Sequence, residues 1–257
     1  MSVATQPVIL MYHSIAEGRS PLRIPPAMFA EQVSWLAGNV HVAPLAEVVD
    51  VLAARRPLPE RTVVLTFDDG FADFHQAAAP LLLRHGLPAT VFLTTGWCGK
   101  TNAWPGQPDW VEPQPLMNWE QIAELARTGV IFGAHSVTHA ALTELNPADA
   151  AREISQSRAE VESYTGQPAD FFCYPYGKWN RPVRDAVASH YRGACSTAAG
   201  VVEADADPFA LPRVDAHYLR KPSWFRALFT RRFKTYVTAR RLVRRLRGQP
   251  EGAYARI

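Results

Sequence analysis

Short apolar runs of β type alternate with helical patterns along most of this 257-residue chain, and that rhythm constrains the fold more than any other feature. "VILMYH" precedes a helical stretch from Pro26 to Leu36, and "TVVLTF" precedes "FADFHQAAAPLLLRHG". After a long loop the pattern continues with "ATVFLT" and "NWEQIAELARTG", then "VIFGAH", a helix from Pro147 to Thr165, "DFFCYP", and a helix from Pro182 to His190. Asn118 and Asn146 stand where helix N-caps belong, Gly86 and Gly129 where helices stop. Strands spaced by helices predict an α/β fold with a parallel sheet, closed as a barrel or doubly wound. Chemistry in either architecture gathers at the carboxyl ends of the strands.

Two strand ends stand out. In "LTFDDGFAD" the adjacent carboxylates Asp68 and Asp69 end an apolar run, where like charges oppose each other unless a cation or proton compensates; an Asp-Gly turn is the simpler alternative. In "GAHSVTH", His135 and His139 are four apart, which puts both imidazoles on one face if the segment makes a helical turn. Two imidazoles and one carboxylate complete a facial metal site with open positions, leaving the second carboxylate free to move protons. His13 ends the first apolar run, either as a satisfied core histidine or as a third player in that chemistry.

The motifs "TFDDGF", "HSVTH" and "YPYG", with "GLPATVFLTTG" between the first two, resemble the polysaccharide deacetylase family, the NodB-homology domain of carbohydrate esterase family 4. The resemblance runs from about Pro7 to Asp215 and implies an irregular (β/α) barrel that removes acetyl groups from sugars with a metal ion. By position it implies Asp69, His135 and His139 as metal ligands, Asp68 as general base, and the backbone N–H of Tyr176 as the oxyanion donor. Zinc suits two imidazoles and a carboxylate, with cobalt or nickel as alternatives. The general acid in the commonest arrangement is a histidine in a C-terminal Leu-x-His motif, which this chain lacks; its last candidate is His217. "MYHSI" instead resembles a circularly permuted subgroup similar to bacterial exopolysaccharide deacetylases, which implies His13 as the acid. The third motif usually supplies an arginine that orients the base, but Cys173 stands there. Arg213 is the replacement candidate, against a surface salt bridge as its alternative role, and Asp215 is a candidate for tuning the acid histidine.

Charge divides the chain. Twelve of the 27 basic residues but only one of the 24 acidic ones, Glu251, lie from Arg220 onward, so an acidic barrel over 1–219 is expected to carry a basic helical tail over 220–257. In the tail Phe225, Leu228, Phe229, Phe233, Tyr236, Val243 and Leu246 fall mostly on one side of a helical wheel, with Arg231, Lys234, Arg241 and Arg245 opposite and Arg232 interrupting. This reads as docking on an anionic membrane surface, with packing of the apolar side on the barrel as the alternative and nucleic acid disfavoured by the acidic body. The N-terminal residues lack the features of a secretory signal, no apolar run reaches membrane-spanning length, and three cysteines cannot all pair within the chain. A cytoplasmic enzyme is therefore expected, peripheral at the inner membrane face, acting on an N-acetylated sugar or a lipid-linked glycan. Trp97, Trp104, Trp110 and Trp119 either stack on a sugar ring or seal their loop onto the barrel. The competing functions are a metal-independent amide hydrolase on the same barrel and a noncatalytic carbohydrate-binding relative.

Overall fold

Parallel pairing runs all the way round a closed seven-stranded barrel in the computed structural model, which describes residues 6–57, 59–108 and 111–246. Strand β1 (Val8–Tyr12) is followed by α1 (Pro26–Asn39), the two-residue β2 (His41–Val42), α2 (Leu45–Ala53) and β3 (Thr62–Phe67). Then come α3 (Ala79–Arg84), β4 (Thr90–Leu93), α4 (Trp119–Ala126), β5 (Ile131–Ala134), α5 (Pro147–Thr165), β6 (Phe171–Cys173), α6 (Arg181–Ala188), β7 (Gly193–Ala199) and β8 (Leu211–Asp215). The sheet runs from β3 through β4, β5, β6 and β7 to β8, and β1 closes it by pairing with β8 on one edge and β3 on the other. On the far edge of β3, β2 pairs beside Thr62 and Val63 while β4 pairs beside Thr66 and Phe67. The barrel rather than the doubly wound sheet is thus the closure adopted.

Alternation along the strands sorts side chains into two layers. Val8, Leu10, Tyr12, Val63, Leu65, Phe67, Phe132, Phe172 and Val214 form one core with the surrounding helices. Ile9, Val64, Phe92, Phe171, Cys173, Cys195 and Leu211 form a second core with Leu45, Val48, Val49 and Leu52 of α2, which closes the end of the barrel where the strands begin. That arrangement leaves the carboxyl ends open for His13, Asp68 and His135, each the next inward position of β1, β3 and β5. Asn118 and Asn146 cap α4 and α5 as expected, Asn118 in a reciprocal capping box with Gln121. The predicted helix after β3 is interrupted. Residues Phe74–Ala78 form a π-helical turn before α3, because Pro80 has no N–H to donate into a regular ladder.

The basic segment is built into the barrel. Phe225 of α7 (Pro222–Phe225), Leu228, Phe229, and Phe233 and Val237 of α8 (Arg231–Leu246) are buried in the same core as Leu219, on the other side of the expected boundary. Arg232, the break in the wheel, sits 4.3 Å from the Trp224 ring, which itself stacks on Tyr236 at 4.4 Å. Arg240 lies 3.5 Å from the Tyr218 ring. These contacts correct the anionic-membrane expectation for residues 225–237: the apolar side that would enter a lipid interface is occupied by the barrel. The side chains of Val243, Arg245 and Leu246, and Trp110, lie outside the described residues. No described helix is long and apolar enough to cross a membrane. Phe233→Ala should therefore cost about 3–5 kcal/mol in chemical denaturation, the loss typical of a buried phenylalanine and not of a solvated tail.

Candidate active site

Asp68 and Asp69 are consecutive yet serve different partners, because Asp69 adopts the left-handed conformation (φ 72°) and turns the chain between them. Asp68, 2% exposed, points toward Arg213 on β8, whose Nη1 and Nη2 donate to its two carboxylate oxygens at 2.7 and 2.6 Å. Arg213 also donates through Nε to the Ser196 carbonyl at 2.8 Å and through Nη1 to Thr66 Oγ1 at 3.1 Å. The Cys173 thiol donates to Asp68 at 3.6 Å and accepts from Arg213 Nη2 at 3.0 Å. Burial alone would raise the Asp68 carboxyl, but the charge and hydrogen bonds of Arg213 outweigh it and hold Asp68 well below the usual carboxylate range. Burial pushes the Cys173 thiol far up, so it is neutral and a poor nucleophile.

Asp69 faces two imidazoles. Its Oδ1 lies 3.5 Å from His135 Nε2 and 3.4 Å from His139 Nε2, longer than N–H···O hydrogen bonds, and it is buried without a hydrogen-bond partner. The three donor atoms lie within 4.8 Å of one another. Burial, and then its His139 neighbour, push His135 down to about 4, so it is neutral near pH 7, the form that ligates metals. His135 Nδ1 is 2.7 Å from the Cys173 carbonyl, which fixes the tautomer with Nε2 facing Asp69. A buried carboxylate oxygen lacking a donor, opposite two imidazole nitrogens, fits a divalent cation. The helical turn expected between the two histidines is absent: Ser136 (φ 64°) and His139 (φ 62°) are left-handed, and the loop they shape does the convergence instead.

His13 Nε2 stands 4.0 Å from Asp68 Oδ2. Its loop is tied to the first motif by Asp73, which accepts from Ser14 Oγ at 2.5 Å and from the Ile15 N–H at 2.9 Å. Asp215 follows on β8; burial raises its carboxyl, opposed by the charge of His13, and it accepts the His217 N–H at 2.9 Å. Tyr176 occupies a tight turn at φ 58°, and its ring meets the His139 ring edge-on at 4.6 Å. Gly177 is required beside it, since a Cβ there would lie 1.9 Å from Thr197 Oγ1.

A cavity of about 410 Å³ opens over these groups, lined by His13, Asp68, Asp69, His135, His139 and Tyr176, with Gln107, Glu144 and Lys178 among the other lining residues. His217 does not line it. Trp104, 2% exposed, stacks on His139 at 4.2 Å and also lines the cavity, while Trp119 stacks on Tyr164 at 4.1 Å away from it. Asp73 and Glu153 escaped the sequence reading. Glu153 did leave a signal, a carboxylate on the stripe of Ala150, Ile154, Ser157 and Val161 that α5 buries.

Several known proteins are similar to this chain. YxkH of Bacillus subtilis is 29% identical over 208 residues, 80% of this chain and 70% of its own length. The poly-beta-1,6-N-acetyl-D-glucosamine N-deacetylase of Staphylococcus epidermidis is 25% identical over 198 residues, 72% of this chain and 65% of that relative. The structure of IcaB from Ammonifex degensii superposes with a TM-score of 0.73 at 24% identity, covering 88% of this chain and 96% of that one, a likeness of fold. The polysaccharide deacetylase family model matches residues 55–192, more than half of the chain. On that match, and with the barrel that carries it, the chain belongs to the polysaccharide deacetylase family of hydrolases.

Proposed function

We propose that the protein is a metal-dependent N-deacetylase of an N-acetylated sugar polymer, with one divalent ion held by Asp69, His135 and His139. The observation that supports this reading most is the convergence, in one cavity, of a charge-balanced carboxylate, a histidine 4.0 Å from it and a buried Asp/His cluster. An ion at that cluster supplies Lewis acidity, which polarises an acetamide carbonyl and acidifies water. Two imidazoles and a carboxylate favour zinc, with cobalt or nickel compatible with the same ligands. Asp68 takes the proton from the attacking water, kept ionised and aimed by the Arg213 fork. The backbone N–H of Tyr176 serves the developing oxyanion, a role that contributes about 3 kcal/mol where it has been measured. His13 delivers a proton to the departing nitrogen as the amide C–N bond breaks, so that water and amide become acetate and amine. Asp215 steadies His13 from β8.

A polymeric substrate is supported by the name of the Staphylococcus epidermidis relative, and the cavity offers it the polar side chains of Gln107, Glu144 and Lys178. A lipid-linked precursor draws no such support, because the apolar side of the basic segment packs on the barrel. Retention of the ligand cluster and of Asp68 distinguishes this reading from a metal-free hydrolase and from a noncatalytic binder.

Purified protein should release acetate from N-acetylglucosamine oligomers in a chelator-sensitive way. The double variant His135→Ala, His139→Ala should lose bound metal and acetate release together, and stoichiometric metal retained there would overturn the ligand assignment. His13→Ala should lower kcat by about 10²–10⁴ while metal content stays, whereas His217→Ala should change little; the reverse pattern would move the acid to the C-terminal side. Arg213→Ala removes the main opposition to burial at Asp68, so its carboxyl rises and the acidic limb of the kcat/KM profile should shift to higher pH. The same variant should lose about 3–5 kcal/mol of stability, the cost of stranding one partner of a buried pair.

A further inference from the structure

His135 and His139 reach Asp69 from the same irregular segment, but their rings are secured differently. His135 is tied through Nδ1 to the Cys173 carbonyl at 2.7 Å. His139 Nδ1 is buried with no hydrogen-bond partner. Packing fixes the plane of its ring, with Trp104 stacked at 4.2 Å and Tyr176 edge-on at 4.6 Å. The position of His139 Nε2 therefore depends on where the backbone places the side chain. That backbone is left-handed at Ser136 and again at His139, a conformation that L residues hold only when their surroundings impose it.

Glu153 imposes it. This carboxylate, 9% exposed on the second turn of α5, accepts the Val137 and Thr138 N–H groups at 2.8 and 2.9 Å through Oε2. Through Oε1 it accepts the Thr138 hydroxyl at 2.9 Å. From the opposite side the Gly96 N–H donates to the Val137 carbonyl at 2.9 Å, and the Thr95 N–H to the Ser136 carbonyl at 3.1 Å. A Cβ on Gly96 would lie 2.8 Å from that Val137 oxygen, so this clamp closes only on glycine. The Ser136 hydroxyl accepts the His139 N–H at 3.0 Å and completes the loop from within.

We infer that Glu153 is a positioning residue for the metal site, fixing residues 136–139 so that His139 presents Nε2 to the same point as His135 and Asp69. The inference rests on the reading of Asp69, His135 and His139 as ligands. It is a claim about reach and geometry rather than charge. A glutamine at 153 can keep the pattern, its carbonyl oxygen accepting both N–H groups and its amide donating to the Thr138 hydroxyl. Aspartate keeps the charge but is one methylene too short.

The test is titration of the metal-free protein with Co²⁺, following the visible absorption of the bound ion, for wild type, Glu153→Gln, Glu153→Asp, Glu153→Ala and His139→Ala. The melting temperature of each metal-free variant is measured alongside. Glu153→Gln should retain wild-type affinity and spectrum, while Glu153→Asp and Glu153→Ala should bind about 10–100-fold more weakly with an altered spectrum. Wild-type affinity and spectrum in the Asp and Ala variants would overturn the positioning role while leaving the ligand assignment intact. Weakening in the Gln variant would overturn it, in favour of a purely electrostatic effect if the Asp variant keeps wild-type affinity and of a general loss of packing if it does not. If Glu153→Ala does not fold, the contrast between Gln and Asp still decides. No Co²⁺ uptake by wild type would instead bring down the ligand assignment, and the inference with it.

Discussion

A guanidinium that is 1% exposed can sit inside a parallel barrel only if its charge and its donors are met there, and Arg213 organises the interior around that demand. Asp68 answers the charge; Thr66, Ser196 and the Cys173 thiol answer the remaining donors, so the arginine joins β3, β6, β7 and its own β8. Such a buried pair is weak evidence for stability, since desolvating both ions costs several kcal/mol each. Its physical effect is orientation: a fork against a carboxylate leaves neither side chain a second rotamer. The cysteine at 173 makes this arrangement sterically possible. A small neutral side chain on β6 leaves volume for an arginine arriving from two strands away.

The site is assembled from bends. Asp69, Ser136, His139 and Tyr176 all hold positive φ at the cavity, in three separate loops. Local conformational cost concentrated at one place is stable only when the surrounding structure over-determines it. Glu153 does so for the loop between the histidines, and Asp73 ties the neighbouring loop after His13 in a similar way. In each case an acidic side chain accepts backbone and hydroxyl donors from a loop that borders the cavity, one backbone N–H for Asp73 and two for Glu153.

Much of this was legible in the residues, for reasons that also explain the gaps. Strands buried on both faces read as continuous apolar runs, which made β1, β3, β4 and β5 visible. Strands β7 and β8 did not announce themselves, because "GACSTAA" and "LPRVD" carry the small and charged side chains of the polar layer. Helix α2 was missed although its apolar content is high, since what it plugs exists only after the barrel closes. The spacing of His135 and His139 pointed to convergence while a helical turn was the wrong cause; two left-handed residues are invisible to a periodicity argument. In the basic segment the apolar face was read correctly, but a wheel does not say whether lipid or protein covers it. Phe225, Phe229 and Phe233 found the barrel.

The closure of the barrel by β1 bears on how the molecule comes into being. Leu10 and Met11 pair with Val214 and Asp215, so β1 meets this partner only after some two hundred more residues have been added. Until then β1 can be held on one edge only, by β3. The loop-closure entropy of that long connection grows slowly with length, but the encounter itself is non-local and comes late. Arg213 arrives on the same final strand. A chain emerging from the ribosome therefore exposes Asp68 without its counter-ion and His13 without Asp215, and both gaps close in a single docking event. Hydrolytic competence is in this sense acquired all at once, as the last stave is set in the cask.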